Sequence, residues 1–174
     1  MKTKYNLIGI FSIIIGVLLD QYTKILAVTH LKDANPVPII EDVFELHYLE
    51  NRGAAFGILQ NQHLFFVISG LILLTVGTIL YVRLPYTKRM LPLRICLISI
   101  AAGAIGNMID RVTLNYVIDF LYFKLIDFPI FNVADIYVTV STFLVAFLIL
   151  FYYKDEELDV IFKAFSWKKN PKQE

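Results

Sequence analysis

Long apolar runs, broken at a few places by charge, set the pattern of this chain. Four of them, about 5–28, 63–83, 91–110 and 130–153, match the roughly 20 residues that carry a helix across a bilayer. Lipid-embedded backbone is satisfied only in helices or closed barrels, and these runs lack the alternation of barrel strands. The pattern predicts an all-α membrane protein: one domain over 1–174 with four transmembrane helices. A cleaved signal peptide is the alternative for the first run, because Lys2 and Lys4 precede it. The absence of a small-x-small cleavage site favours a retained helix.

Between the first two runs, the connection 30–62 is large enough to fold. Phe44, Leu46 and Tyr48 alternate with Glu45, His47 and Leu49, which predicts a half-exposed strand. Pro36 and Pro38 predict extended chain before it. The run Asn51-Arg-Gly-Ala-Ala-Phe-Gly57 reads as a turn of small residues, where backbone can approach a ligand at Gly53. A small β-sheet on the outer leaflet is therefore expected between helices 1 and 2. In the tail 154–174, Leu158, Ile161, Phe162 and Phe165 share one helical face, with Trp167 and lysines nearby. That predicts a short interfacial anchoring helix on an anionic leaflet.

Composition agrees with this assignment. The chain is 57% hydrophobic and 18% charged, against about a quarter charged in soluble domains. Its formal net charge of +1 gives no reason to expect nucleic acid as a partner; membrane lipids are the expected surroundings. Cys96, the one cysteine, excludes an internal disulfide and reads as a buried thiol. Basic residues gather before helix 1 (Lys2, Lys4), between helices 2 and 3 (Arg83, Lys88, Arg89, Arg94) and after helix 4. The positive-inside rule then puts both termini in the cytoplasm and the first and third connections outside the cell membrane.

With that topology, a set of polar residues converges at the outer end of the runs. Asp20 and Lys24 close the first run; Asn107, Asp110 and Arg111 close the third; Asn132 and Asp135 open the fourth. Asp119 lies in the connection between the last two. Intramembrane charge costs about 2.5–3.5 kcal/mol at a helix centre on insertion scales, so each needs a partner or a task. Structural roles are open for each. Asp20 and Lys24 have the spacing of a helical ion pair, Arg111 can snorkel, and Asn132-Val-Ala-Asp135 has the form of a helix cap. Asp119 alone reads as an ordinary loop acid.

Two carboxylates in one polar pocket can also do chemistry. Like charges in a poor dielectric raise one pKa, so the pair holds one proton and offers both a base and an acid near neutrality. Such a pair can drive water onto a peptide carbonyl and protonate the leaving amine. Zinc peptidase and serine hydrolase signatures are missing: there is no His-Glu-x-x-His and no Gly-x-Ser-x-Gly. No metal site or cofactor is expected.

The blocks Asp20-Gln-Tyr-Thr-Lys24, Asn51-Arg-Gly-Ala-Ala-Phe56, Gly106-Asn-Met-Ile-Asp-Arg111 through Val117-Ile-Asp-Phe120, and Phe131-Asn-Val-Ala-Asp135 resemble lipoprotein signal peptidases (signal peptidase II), the bacterial membrane aspartic peptidases. The resemblance implies Asp119 and Asp135 as the catalytic dyad, with Asp20, Lys24, Asn51, Gly53, Asn107, Arg111 and Asn132 binding substrate or supporting the site. It also implies the substrate, a prolipoprotein whose lipobox cysteine carries diacylglycerol, cut just before that cysteine at the extracytoplasmic face. Asn115 stands where the family usually has glycine; asparagine tolerates left-handed backbone, so the turn is expected to survive. Two other classes compete: a small proton-coupled transporter or channel subunit, with acids relaying ions, and a non-enzymatic assembly factor. Transporter sites favour the midplane between repeated halves, and no repeat is visible here.

Overall fold

The computed structural model describes residues 2–53, 60 and 62–165. Four helices are long and apolar enough to cross a membrane: α1 (Lys2–Leu31), α2 (His63–Arg83), α3 (Leu91–Thr113), and α4 (Val133–Phe147), which runs on through a π turn at Leu148–Tyr152. The 21 residues of α2 span about 31 Å at 1.5 Å each, close to the ~30 Å hydrocarbon core of a bilayer. With 30 residues, α1 outruns that thickness and carries its last turns up to the sheet. Large apolar side chains point outward along the helices, among them Phe11 and Leu18 of α1, Leu64 and Ile72 of α2, and Phe143 and Phe147 of α4. Such surfaces belong in lipid and not in water.

Three antiparallel strands in the order β1 (Val37–Ile40), β2 (Phe44–Asn51), β3 (Val117–Tyr122) cap one end of the bundle. The sheet expected between helices 1 and 2 is therefore only two-thirds of the whole. Its third strand comes from the α3–α4 connection. Val117 to Phe120 are all buried, so the segment reads as a short apolar run and shows none of the alternation that betrays a half-exposed strand. β2 also departs from the expected faces, because Glu45 is its buried residue, 3.6 Å from the Lys124 ammonium. The turn into β3 places Asn115 at φ 66°, the left-handed conformation that its side chain was expected to tolerate.

Two apolar clusters brace the ends. Ala27 and Leu31 of α1 pack with Ile118 and Phe120 under the sheet. At the opposite end, Leu80, Leu84, Met90, Leu93 and Cys96 enclose Leu148 and Tyr153. The tail helix α5 (Asp155–Phe165) joins this second cluster through Ile161 and Ala164. The expected anchoring stripe is thus divided: Ile161 docks on protein, while Phe162 and Phe165 face outward. Arg89 clasps α5 by a bond to Glu157 at 2.8 Å and another to the Tyr152 carbonyl. Arg94, read from sequence only as a topology charge, is buried. It donates to the Tyr81 and Leu84 carbonyls at 2.9 and 2.7 Å, closing the C-terminal end of α2. Trp167, the tail lysines after Phe165, and Ala54–Gly57 of the small-residue turn lie outside the described residues.

Helices α3 and α4 meet at Gly103. A Cβ there would collide with the Ala134 carbonyl and stand 2.8 Å from Val138 Cγ2. Small residues at a membrane helix interface permit that approach. Gly103→Val is expected to cost about 1–3 kcal/mol or more by overpacking and to lower the unfolding temperature of the purified protein in detergent, measured by thermal unfolding.

Candidate active site

Lys24 lies at the centre of the polar residues, 1% exposed. Its ammonium is 2.9 Å from Asp20 Oδ2, 2.9 Å from Asp110 Oδ2 and 2.9 Å from Asn107 Oδ1, so all three of its donor directions are used. Each acid has a second bond. Asp20 Oδ1 accepts the Ala134 N–H at 2.9 Å, one residue before Asp135. Asp110 Oδ2 accepts the Ile118 N–H at 3.2 Å, one residue before Asp119. The ion cluster therefore holds the backbone beside each candidate catalytic aspartate. Gln21 ties the cluster further, donating to Asp110 Oδ1 at 2.9 Å and to the Gly106 carbonyl at 3.2 Å.

Asp119 and Asp135 arrive from different elements, yet one junction joins them. The Phe120 and Leu121 N–H groups both donate to the Phe131 carbonyl, at 3.0 and 2.9 Å, and the Phe131 N–H returns to Leu121 at 3.0 Å. The next residue, Asn132, is the N-cap of α4. Its side chain accepts the Asp135 N–H at 2.9 Å while Asp135 Oδ2 accepts the Asn132 N–H at 3.2 Å, a reciprocal capping box. The capping role anticipated for this segment is real, and it leaves Asp135 Oδ1 free for another donor.

Three asparagines supply the remaining donors. Asn107 Oδ1 receives Lys24, so its NH2 points at Asp135 Oδ1, 2.7 Å away. Asn132 Oδ1 receives the Asp135 N–H, so its NH2 reaches Asp119 Oδ1 at 2.6 Å and Asn107 Oδ1 at 3.1 Å. Asn51 Oδ1 receives the Gly53 N–H at 2.9 Å, and its NH2 reaches Asp119 Oδ2 at 2.8 Å. Asn51 faces Asp119 because Leu49 pairs with Asp119 in the sheet and Asn51 with Val117, which makes the two diagonal neighbours on one face. In every case a donor fixes the amide oxygen, and the amide N–H is thereby aimed at a carboxylate.

A cavity of about 410 Å³ opens onto both aspartates. Asn51, Gly53, Asn107 and Arg111 form its polar rim, and Phe66, Ile130, Ile136 and Val140 are among its apolar walls. A smaller cavity of about 180 Å³ adjoins it between α2, α3 and α4, sharing Phe66, Asn107, Arg111 and Asp135. Arg111 donates to the Asn107 carbonyl at 3.3 Å and lays its guanidinium 4.7 Å from the centre of the Phe66 ring. Asp20 and Lys24 do not line either cavity. They form a buried ion pair behind these cavities. All nine residues singled out from sequence come together here. Asp110 and Gln21 complete the support. Asp110 stood in the same polar group, but its grip on Ile118 crosses a turn that the sequence pattern does not describe.

The family profile described as Signal peptidase (SPase) II matches residues 12–151. The chain belongs to the signal peptidase II family. Among its relatives, lipoprotein signal peptidase of Streptococcus thermophilus is 47% identical over 138 residues, covering 79% of this chain and 87% of the relative. That of Clostridioides difficile is 42% identical over 144 residues, covering 82% and 95%. A bacterial membrane enzyme solved by the in meso method at 2.3 Å resolution superposes with a TM-score of 0.71 at 29% identity, covering 95% of this chain and 94% of that one. The family match ends one turn before α5, so the clasp of α5 by Arg89 joins an element outside the matched span to the family body.

Burial, and secondarily the Asp135 carboxylate, push Asp119 up to about 7, against the opposing bonds from Asn51 and Asn132. In an unfolded chain the same carboxyl titrates near 4. Folded Asp119 thus keeps a proton between those values that the unfolded chain releases. Its contribution to stability is complete below pH ~4 and is lost as pH rises through the folded value. Asp119→Asn is expected to unfold at a higher temperature than the parent at pH 8, with the gap closing toward pH 5. Thermal unfolding of both proteins across that range measures it.

Proposed function

We propose that this peptidase-family chain is an aspartic endopeptidase that removes the signal peptide from diacylglyceryl-modified prolipoproteins, cutting just before the lipidated cysteine. The observation that carries this reading is the pair Asp119 and Asp135, held from separate elements over one cavity at an end of the helical bundle. The relatives are lipoprotein signal peptidases, and that supports lipoproteins as the substrate class.

The chemistry follows from one proton shared by the two carboxylates. The ionised partner takes a proton from a water between them as its oxygen attacks the scissile carbonyl. The protonated partner donates to the carbonyl oxygen, giving a neutral tetrahedral diol, and the dyad then passes a proton to the departing amine nitrogen as the C–N bond breaks. Asn51, Asn107 and Asn132 fix the carboxylate planes throughout. The apolar walls at Phe66, Ile136 and Val140 suit a substrate whose lipid stays in the membrane.

Cleavage would take place at the extracytoplasmic face of the cell membrane, with both termini cytoplasmic. The basic residues Lys2, Lys4, Arg83, Lys88 and Arg89 support this, since they belong to the N-terminus and the α2–α3 connection, at the end of the bundle away from the sheet.

The purified protein should cleave a lipidated precursor in detergent and leave the non-lipidated precursor intact, which a transporter or assembly factor would not do. Asp119→Asn and Asp135→Asn are each expected to lower kcat by about 10³-fold or more while precursor binding persists. Activity should survive chelators. Its pH profile should be a bell governed by two constants of the pair, with an alkaline fall where the shared proton leaves.

Topology has its own test in a Cys96→Ala background. A membrane-impermeant thiol reagent applied to intact cells should label Asp42→Cys and spare Glu156→Cys; the reverse pattern would invert the assignment.

A further inference from the structure

The turn after β3 exposes a run of large apolar side chains. In the 3-10 turn Lys124–Ile126 and its flanks, the polar side chains pair with groups at the edge of the sheet. The Lys124 ammonium pairs with Asp42 at 3.4 Å and Glu45 at 3.6 Å. Asp127, at φ 47°, accepts the Tyr122 hydroxyl at 2.6 Å. The apolar side chains point out: Leu125 is 68% exposed and Ile126 67%, with Phe123 and Phe128 also exposed. A contiguous exposed apolar patch of this kind marks a contact surface.

The apolar surface extends beyond the turn. The Leu125 N–H donates to the Val43 carbonyl at 3.3 Å, fastening the turn to the β1–β2 end of the sheet. In the edge strand β1 all four residues are exposed, including Val37, Ile39 and Ile40. A hydrophobic edge of this kind invites aggregation in water. On its other side the turn leads through Phe128 and Pro129, which line the mouth of the main cavity, to Ile136 and Val140 on the outward face of α4.

We propose that Phe123–Phe128 is a membrane-contact surface whose occupant is the lipid leaflet at the sheet end of the bundle. Leu125 and Ile126 sit at the boundary of headgroups and acyl chains, and Phe128 holds the cavity mouth at that height. Continuity with the exposed apolar face of α4, itself a membrane-crossing helix, selects lipid over a soluble partner. Lys124 is engaged with Asp42 and Glu45, so the contact is apolar in character and not an anionic-lipid site. The inference rests on the four helices crossing a bilayer and not on the cleavage reading.

The test uses the full chain in a Trp167→Phe background, which removes the one tryptophan, reconstituted in phosphatidylcholine vesicles. Leu125→Trp, and separately Ile126→Trp, should emit at short wavelength, be quenched by lipids brominated on their acyl chains, and be shielded from aqueous acrylamide. Because both positions are exposed, folding should be retained, and thermal unfolding checks each variant. Quenching by acrylamide with no response to brominated lipid would overturn the proposal. So would shielding from both quenchers together with concentration-dependent dimers, which would make the turn an interface between two copies. No turnover is needed for any of these readouts, so the result stands whether or not a precursor is cleaved.

Discussion

A single buried ammonium organises the site. Lys24 is bound to two acids and an amide, and each of those groups passes the constraint on. Asp20 holds the backbone at Ala134, Asp110 holds it at Ile118, and Asn107 holds the Asp135 side chain. One cation from α1 thereby fixes the neighbourhoods of two aspartates that it does not touch. Removing one partner of such a cluster leaves an uncompensated buried charge, at a cost of about 3–5 kcal/mol. Gly106 makes the arrangement compact, since a Cβ there would overlap the Asp20 carboxylate.

Asp119, half of the proposed dyad, experiences two opposed influences. Desolvation and mutual repulsion favour protonated carboxyls, whereas amide donors favour the ionised form. For Asp119 the first pair prevails, which puts its titration near neutrality. The asparagines cannot simply turn to relieve that tension, because each amide oxygen already receives Lys24 or a backbone N–H. Geometry is retained while the proton inventory stays adjustable, as the proposed general acid and base would require.

Much of this architecture was legible in the residues. Length and apolarity located all four spans, and α2 falls at 63–83 as expected. The gathering of Asp20, Asn107, Arg111, Asn132 and Asp135 at one end followed from counting crossings. What was missed depends on long-range pairing. β3 looks like a plain apolar run because its faces are buried by α1 below and β2 beside it. Arg94 and α5 were assigned to topology and lipid because sequence periodicity records amphipathicity but not which neighbour covers the apolar side. The grip of Asp110 on Ile118 depends on the turn through Asn115, whose left-handed geometry was anticipated while the bond it makes possible was not.

The spacing of Asp20 and Lys24 also bears on how the chain is made. During synthesis α1 precedes the partners that α3 and α4 give its polar residues: Asn107 is 83 positions beyond Lys24, and Ala134 is 114 beyond Asp20. At that stage neither acid nor base has the cluster that later encloses it. They have each other, one helical turn apart at 2.9 Å. An ion pair of this kind presents no net charge to the translocation machinery, and the nascent helix can settle in lipid before α3 and α4 emerge. The second acid, Asp110, arrives only on α3, beside Asn107 and Arg111.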